Sequence, residues 1–183
     1  RRGKGLPANV IPLEVFHVAA LGPDLMLGSY ALGAAQVAVL AAGSEAPDYL
    51  GSLQRQLGLA QQIVSGLGFG GGHFRLIEAQ DVPALEQALW QLGKVREVKP
   101  ATFNLFNEKR ATLDFAFDHL LKNAQAPVDE IALSRGAPYG QVRVNTQTCT
   151  LCMACVGACP ESALLDAKDA PQLKFIERNC VQC

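Results

Sequence analysis

Six cysteines carry the chemistry that can be read from this chain: Cys149, Cys152, Cys155, Cys159, Cys180 and Cys183. The first four follow the spacing C-x2-C-x2-C-x3-C, and Pro160 follows the last of them. A [4Fe–4S] cube has four irons, each needing one thiolate, and three cysteines at this spacing wrap one loop around three corners. Thr150, Leu151, Met153, Ala154, Val156, Gly157 and Ala158 lie between them. Small side chains let backbone N–H groups approach the sulfurs, and apolar ones exclude water; both effects tune the reduction potential. Pro160 suits the first turn of a helix, where no N–H partner is needed, so a short helix is expected over Glu161–Leu165.

The pattern recurs. Cys149 and Cys152 are repeated 31 residues later as Cys180 and Cys183, where the chain stops. Each pair follows a short β-like stretch, Val142–Val144 and Leu173–Ile176. The repeat reads as a duplicated cluster motif whose second copy is incomplete, and the chain, which opens without methionine, reads as a piece of a longer polypeptide. A structural zinc site made of Cys149, Cys152, Cys180 and Cys183 is the alternative. It leaves Cys155 and Cys159 without a role and does not explain Pro160. In this piece a cube short of a ligand is expected to be absent, incomplete or replaced by zinc. A disulfide formed on exposure to air also stays open.

The elements that must hold these cysteines differ in character from what precedes them. No cysteine occurs before Cys149, and tight C-x2-C clustering reads as metal ligation in a reducing compartment, hence the cytoplasm. The chain has 183 residues, 49% hydrophobic and 18% charged, enough for one ordinary domain and a small one. A net charge of −1 recruits neither nucleic acid nor an anionic membrane surface. Arg1, Arg2 and Lys4 form a basic start that reads as a solvated linker. Leu25–Ala42 runs without a charge, but Gly28, Ser29, Gly33 and Gln36 interrupt it; a soluble helix and a buried strand are expected there rather than a membrane span.

Residues 8–94 alternate between two periods. Strands are expected at Val10–Ala19, Gln36–Ala42 and Phe74–Ala79. Helices are expected from Gly22-Pro23-Asp24 to Leu32, over Asp48–Leu67, and from Asp81 to Leu92. The second helix places Leu50, Leu53, Leu57, Ala60, Ile63, Val64 and Leu67 at helical spacing. The order β-α-β-α-β-α predicts a small parallel-sheet, three-layer α/β domain, flavodoxin- or Rossmann-like in outline. A connector over 95–137 carries one helix, capped by Asn107 and running from about Glu108 to Ala124, with Leu113, Phe117, Leu120 and Leu121 on one face. A partial α+β domain follows over 138–183, opening on a short strand at Gln141–Asn145.

Weaker signals resolve to structure. Gly66-x-Gly68-x-x-Gly71 matches a dinucleotide fingerprint in letters, but a helix precedes it and a strand follows, the reverse of what that fingerprint needs. A flexible loop is the expected meaning, with His73 a surface residue at its end. His17 falls in a strand and His119 in a helix, neither with a ligand partner suggested by spacing. Gly22-Pro23-Asp24 marks a strand-to-helix junction where open sheets bind ligands, though capping is the expected role. Trp90, Phe115 and Phe117 read as packing. No nucleophile–base pair emerges, so no catalytic residue is assigned.

The segment QVRVNTQTCTLCMACVGACPESALL, with KFIERNCVQC after it, resembles the bacterial two-[4Fe–4S] ferredoxin family over about residues 138–183. That resemblance implies crossed ligation. Cys149, Cys152 and Cys155 hold one cube, completed from the second motif. Cys180, Cys183 and a further cysteine hold the other, completed by Cys159. Over 8–94, VFHVAALGPDLMLGSYALGAAQVAVLAAG resembles the delta subunit of methyl-viologen-reducing hydrogenases. Those subunits pass electrons between a hydrogenase and a heterodisulfide reductase and carry [2Fe–2S] cysteines in this domain. None is present here, so a docking domain without its own cluster is implied. The expected function is electron transfer through [4Fe–4S] clusters, two in the full-length protein, as a module or accessory subunit of a larger oxidoreductase system. Its partners are redox proteins of the hydrogenase or formate dehydrogenase type. A flavin- or NAD-dependent reductase using the α/β domain, or a zinc-binding interaction domain, is the alternative.

Overall fold

A computed structural model describes residues 3–95 and 97–183. Arg1 and Arg2 of the basic start, and Arg96 of the connector, lie outside them. The chain forms two compact units, residues up to Ala132 and residues 133–183.

The first unit is built around α1 (Pro23–Ala31), a helix apolar nearly all round. Met26, Leu27, Tyr30 and Ala31 are fully buried. A helix without a polar face has to be enclosed, and α1 packs against α2 (Pro47–Gly66), β1 (Val37–Ala41) and α4 (Lys109–Lys122). The stretch Leu25–Ala42 is thus divided between α1 and β1, and among the described residues no helix is long and apolar enough to cross a membrane. α2 follows the expected spacing: Leu53, Leu57, Ala60, Ile63, Val64 and Leu67 are buried, and Leu50 is half-buried. α3 (Val82–Trp90) starts where expected, with the Asp81 carboxylate accepting the Ala84 N–H at 2.8 Å.

The sheet corrects the expected three strands. β1 pairs in parallel with β2 (Phe74–Glu78), in register Val37 to Phe74 and Ala41 to Glu78, and among the described residues no third strand joins them. Both faces contain buried residues, Val39, Ala41 and Phe74 on one and Ile77 on the other, as a parallel pair requires. The unit is therefore mixed helix and strand with a small parallel sheet. Residues 10–17 are irregular, and a short 3-10 turn spans Val18–Ala20. Pro12 removes one ladder donor, and Ile11, Leu13 and Phe16 stand out in solvent rather than against a sheet. His17 lies outside any strand; its Nδ1 accepts the Ala19 N–H at 3.0 Å and caps that turn.

Other expectations shift with packing. Lys4 and Gly5 are not a free linker: Gly5 N–H donates to Glu86 Oε1 at 3.0 Å, and Trp90 Nε1 donates to Gly5 O at 3.0 Å. Trp90 is half exposed and lies under the Lys4 ammonium rather than in the core. The loop after α2 is packed, with Phe69 buried and the φ values of Gly68 and Gly71 at +86° and +113°, conformations that favour glycine. His73 is no surface residue; its exposure is 0%. Its Nδ1 lies 3.0 Å from Ala35 O, which accepts only, so Nδ1 carries the hydrogen. The His73 N–H donates to Gln61 Oε1 at 2.7 Å, and His73 O accepts the Val37 N–H at 2.8 Å. His73 therefore fastens the loop to the start of β1.

The helix α4 packs along α1 through Thr112, Ala116 and Leu120, all buried. Leu121 faces solvent, because the i, i+4, i+8 row ending at Leu120 makes the contact. Small residues permit close approach: a Cβ on Gly28 would lie 3.3 Å from Thr112 Cγ2. Asn107 does not cap the helix; Glu108 takes the cap position without a side-chain bond. The Thr112 hydroxyl instead accepts the Phe106 N–H at 2.9 Å and fixes the incoming chain. Leu120→Ala should destabilise the first unit by about 2–5 kcal/mol, the cost of a core cavity, read from urea unfolding followed by circular dichroism.

Candidate metal centre

The second unit contains α5 (Ala154–Ala158), β3 (Leu164–Asp166) and β4 (Leu173–Phe175), with β3 and β4 antiparallel. Two sequence expectations are corrected here. Gln141–Asn145 forms no strand and is exposed throughout. Glu161–Leu165 forms no helix: Leu164 and Leu165 pair instead with Phe175 and Lys174. Alternating pairing to β4 takes those leucines, and a Ser162 φ of +50° turns the chain out of helical geometry.

Structural repetition goes beyond spacing. The turn before the first pair has the Thr148 N–H donating to Asn145 O at 3.2 Å; the one before the second has the Asn179 N–H donating to Ile176 O at 3.1 Å. Asn145 adds its own side chain, whose Oδ1 accepts the Gln147 N–H at 3.0 Å. Inside the pairs, Leu151 has φ +56° and Gln182 has φ +54°, the same third position of each C-x2-C. Met153, φ +57°, then starts the helical turn that carries Cys155. Leu151, Met153, Ser162 and Gln182 are the four non-glycine residues with left-handed φ among the described residues, and all lie among the cysteines. Each such residue costs about 1–2 kcal/mol. Strain of this kind persists where the surroundings over-determine it, and it collects at functional sites.

All six cysteines are free thiols; Cys159 and Cys180 are half-buried and the other four exposed. Donors converge on two of them. The Ala154 N–H and the Thr150 hydroxyl hold the Cys152 thiol below the ordinary thiol range. The Leu164 and Ala163 N–H groups do the same for Cys159, with Ala163 N at 3.2 Å from its Sγ. Sulfur in an open loop, met by donors that favour its thiolate form, is the donor chemistry a thiolate-ligated cluster needs. Among the described residues no three His, Cys, Asp or Glu side chains are grouped as ligands of one ion. Neither the four thiols of the zinc alternative nor either three-cysteine set of the cluster reading is therefore gathered around one point. The second loop is tied down by Gln182 Nε2 donating to Ala137 O at 3.0 Å, and by the Gly140 N–H donating to Glu177 Oε1 at 2.7 Å.

The other candidate positions lie in the first unit. Gly22 precedes α1 without a side-chain cap, and Asp24 sits in its first turn. At the carboxyl end of β1, where open sheets receive phosphates, the Glu45 carboxylate accepts the N–H groups of Ala42 and Gly43 at 3.2 and 3.0 Å. Backbone donors, its own N–H and that of Ala42 first, hold its carboxyl below the usual range. The chain's own anion uses those donors. His119 Nε2 donates to Lys99 O at 2.6 Å and stitches α4 to the connector.

The first cysteine loop lies in an iron–sulfur binding segment. Residues 142–165, which include Cys149 to Cys159, match the family described as a 4Fe-4S binding domain. The match carries [4Fe–4S] binding and, in general terms, iron–sulfur electron transfer. No curated protein and no solved structure matches the chain. Spacing missed Ala163 and the strained Ser162; no residue-type signal marks either, since their roles are backbone ones.

The depressed Cys152 thiol gives a test in metal-free protein. Its ionisation below the unfolded value favours the folded loop above the unfolded thiol pKa, and that contribution disappears as pH falls through the folded value. Alkylation followed by mass spectrometry should show Cys152 reacting at lower pH than it does in the urea-unfolded chain. Coincident pH profiles would contradict the hydrogen bonds assigned to it.

Proposed function

We propose that this chain belongs to an electron relay through [4Fe–4S] clusters, two in the full-length protein, as a module or accessory subunit of a larger oxidoreductase system in the cytoplasm. Cys149, Cys152 and Cys155 serve one cluster. Cys180, Cys183 and Cys159 serve the other. The observation that carries the reading is the matched left-handed geometry of Leu151 and Gln182, which gives both C-x2-C loops the same turn. When bound, each cluster supplies a one-electron couple. The protein's part is to present thiolates, direct N–H groups at Cys152 and Cys159, and supply apolar Leu151, Met153 and Val156 beside them.

In this reading the first unit docks the module to a redox protein of the hydrogenase or formate dehydrogenase type. The resemblance of residues 8–94 to a hydrogenase delta subunit supports it, as do the exposed Ile11, Leu13 and Phe16, an apolar stretch unusual on a solvated surface. The flavin or nicotinamide alternative is disfavoured by Glu45, which takes the loop donors a phosphate would use.

Anaerobic reconstitution of the full-length protein with iron and sulfide should give a brown protein whose EPR signal appears on reduction. Cys149→Ser and Cys159→Ser should weaken different components of it. A colourless, iron-free product would refute the reading. Loading should also protect residues 133–183 from limited proteolysis while leaving the first unit's cleavage pattern unchanged.

A further inference from the structure

Residues 133–183 have one buried residue. Ala163 is 2% exposed, and every other residue of that unit is half-buried or exposed. Its two backbone groups serve the two cysteine motifs. The Ala163 N–H donates to Cys159 Sγ at 3.2 Å, and its carbonyl accepts the Ile176 N–H at 2.8 Å. Ile176 O in turn accepts the Asn179 N–H at 3.1 Å, in the turn that delivers Cys180. One residue thus joins the sulfur of Cys159 to the lead-in of the second C-x2-C pair. The left-handed Ser162 immediately before it, φ +50°, marks a chain reversal held against local preference.

We propose that Ala163 is the positioning residue of the second cysteine set: its backbone holds Cys159 in register with Cys180, and its methyl group fits a site with no room for a larger side chain. A leucine there has to enter the unit's single buried position, and overpacking moves backbone. Displacing the Ala163 N–H removes a hydrogen bond that favours the more negative, reduced state of a cluster held by Cys159. The potential of that cluster then falls. This redox consequence rests on the electron-transfer reading; the register role does not.

The test compares Ala163→Leu with Ala163→Ser, which keeps the side chain small. In iron-loaded full chain, EPR-monitored titration should show the signal lost in Cys159→Ser shifted to a more negative potential, or missing, in Ala163→Leu. Remaining signal should be unchanged, and Ala163→Ser should match the parent. Potentials identical in all three proteins would overturn the proposal, as would an equal loss of all signal in Ala163→Leu. In metal-free chain, NMR hydrogen exchange should rank the Ala163 and Ile176 amides as the slowest of residues 133–183, with that protection lost in Ala163→Leu. Fast exchange of both amides in the parent would also overturn it. A parent that takes up no iron but shows the protection would sink the electron-transfer reading and leave the register role standing.

Discussion

Burial of a single alanine methyl group sets the terms for residues 133–183. Small units with little apolar core need a staple to stay folded, whether disulfides or a metal. All six cysteines here are free. Two three-residue strands and one helical turn cannot repay the conformational entropy of ordering such a chain. Thiolate–metal bonds are strong enough to do so, and in small metal-binding domains metal affinity is folding free energy. The unit is accordingly mostly loop, with Ala163 its one buried residue and backbone N–H groups directed at Cys152 and Cys159.

The first unit obeys the opposite rule. Its order comes from apolar contact, with α1 enclosed by neighbouring elements and a two-stranded parallel sheet beside it. Several of its buried polar groups bond to nearby backbone or side chains, although Gln56 Oε1 and His73 Nε2 are buried without a hydrogen-bond partner. His73 joins Ala35 and Gln61, and Thr112 joins Phe106. Nothing in that core involves a thiol. Among the described residues, left-handed φ in the first unit is confined to glycines such as Gly33, Gly43, Gly68 and Gly71, whereas in the second it falls on Gly136 and also on leucine, methionine, serine and glutamine. Non-glycine left-handed backbone therefore lies among the cysteines, and not in the unit ordered by apolar packing.

The chain's chemistry was legible in residue types because ligation depends on residue identity and short spacing. Cysteines separated by two or three residues lie close in space in a tight loop or a helical turn alike. The duplication was legible for the same reason, as was most of α1, α2, α3, β1 and β2, where a strong apolar period and Asp81 or proline signals agree. Tertiary structure decided what depends on partners distant in sequence. Val10–Ala19 has strand composition, but a strand needs a neighbour, and none pairs with it. Glu161–Leu165 has helix composition, but Leu164 and Leu165 found β4. His73 reads as a loop residue by its glycine-rich surroundings, yet it is buried and bonded to two separate segments, Ala35–Val37 and Gln61. Ala163 carries no mark in its residue type, because its role comes from an N–H and a C=O that every non-proline residue has; only folding gives them different partners.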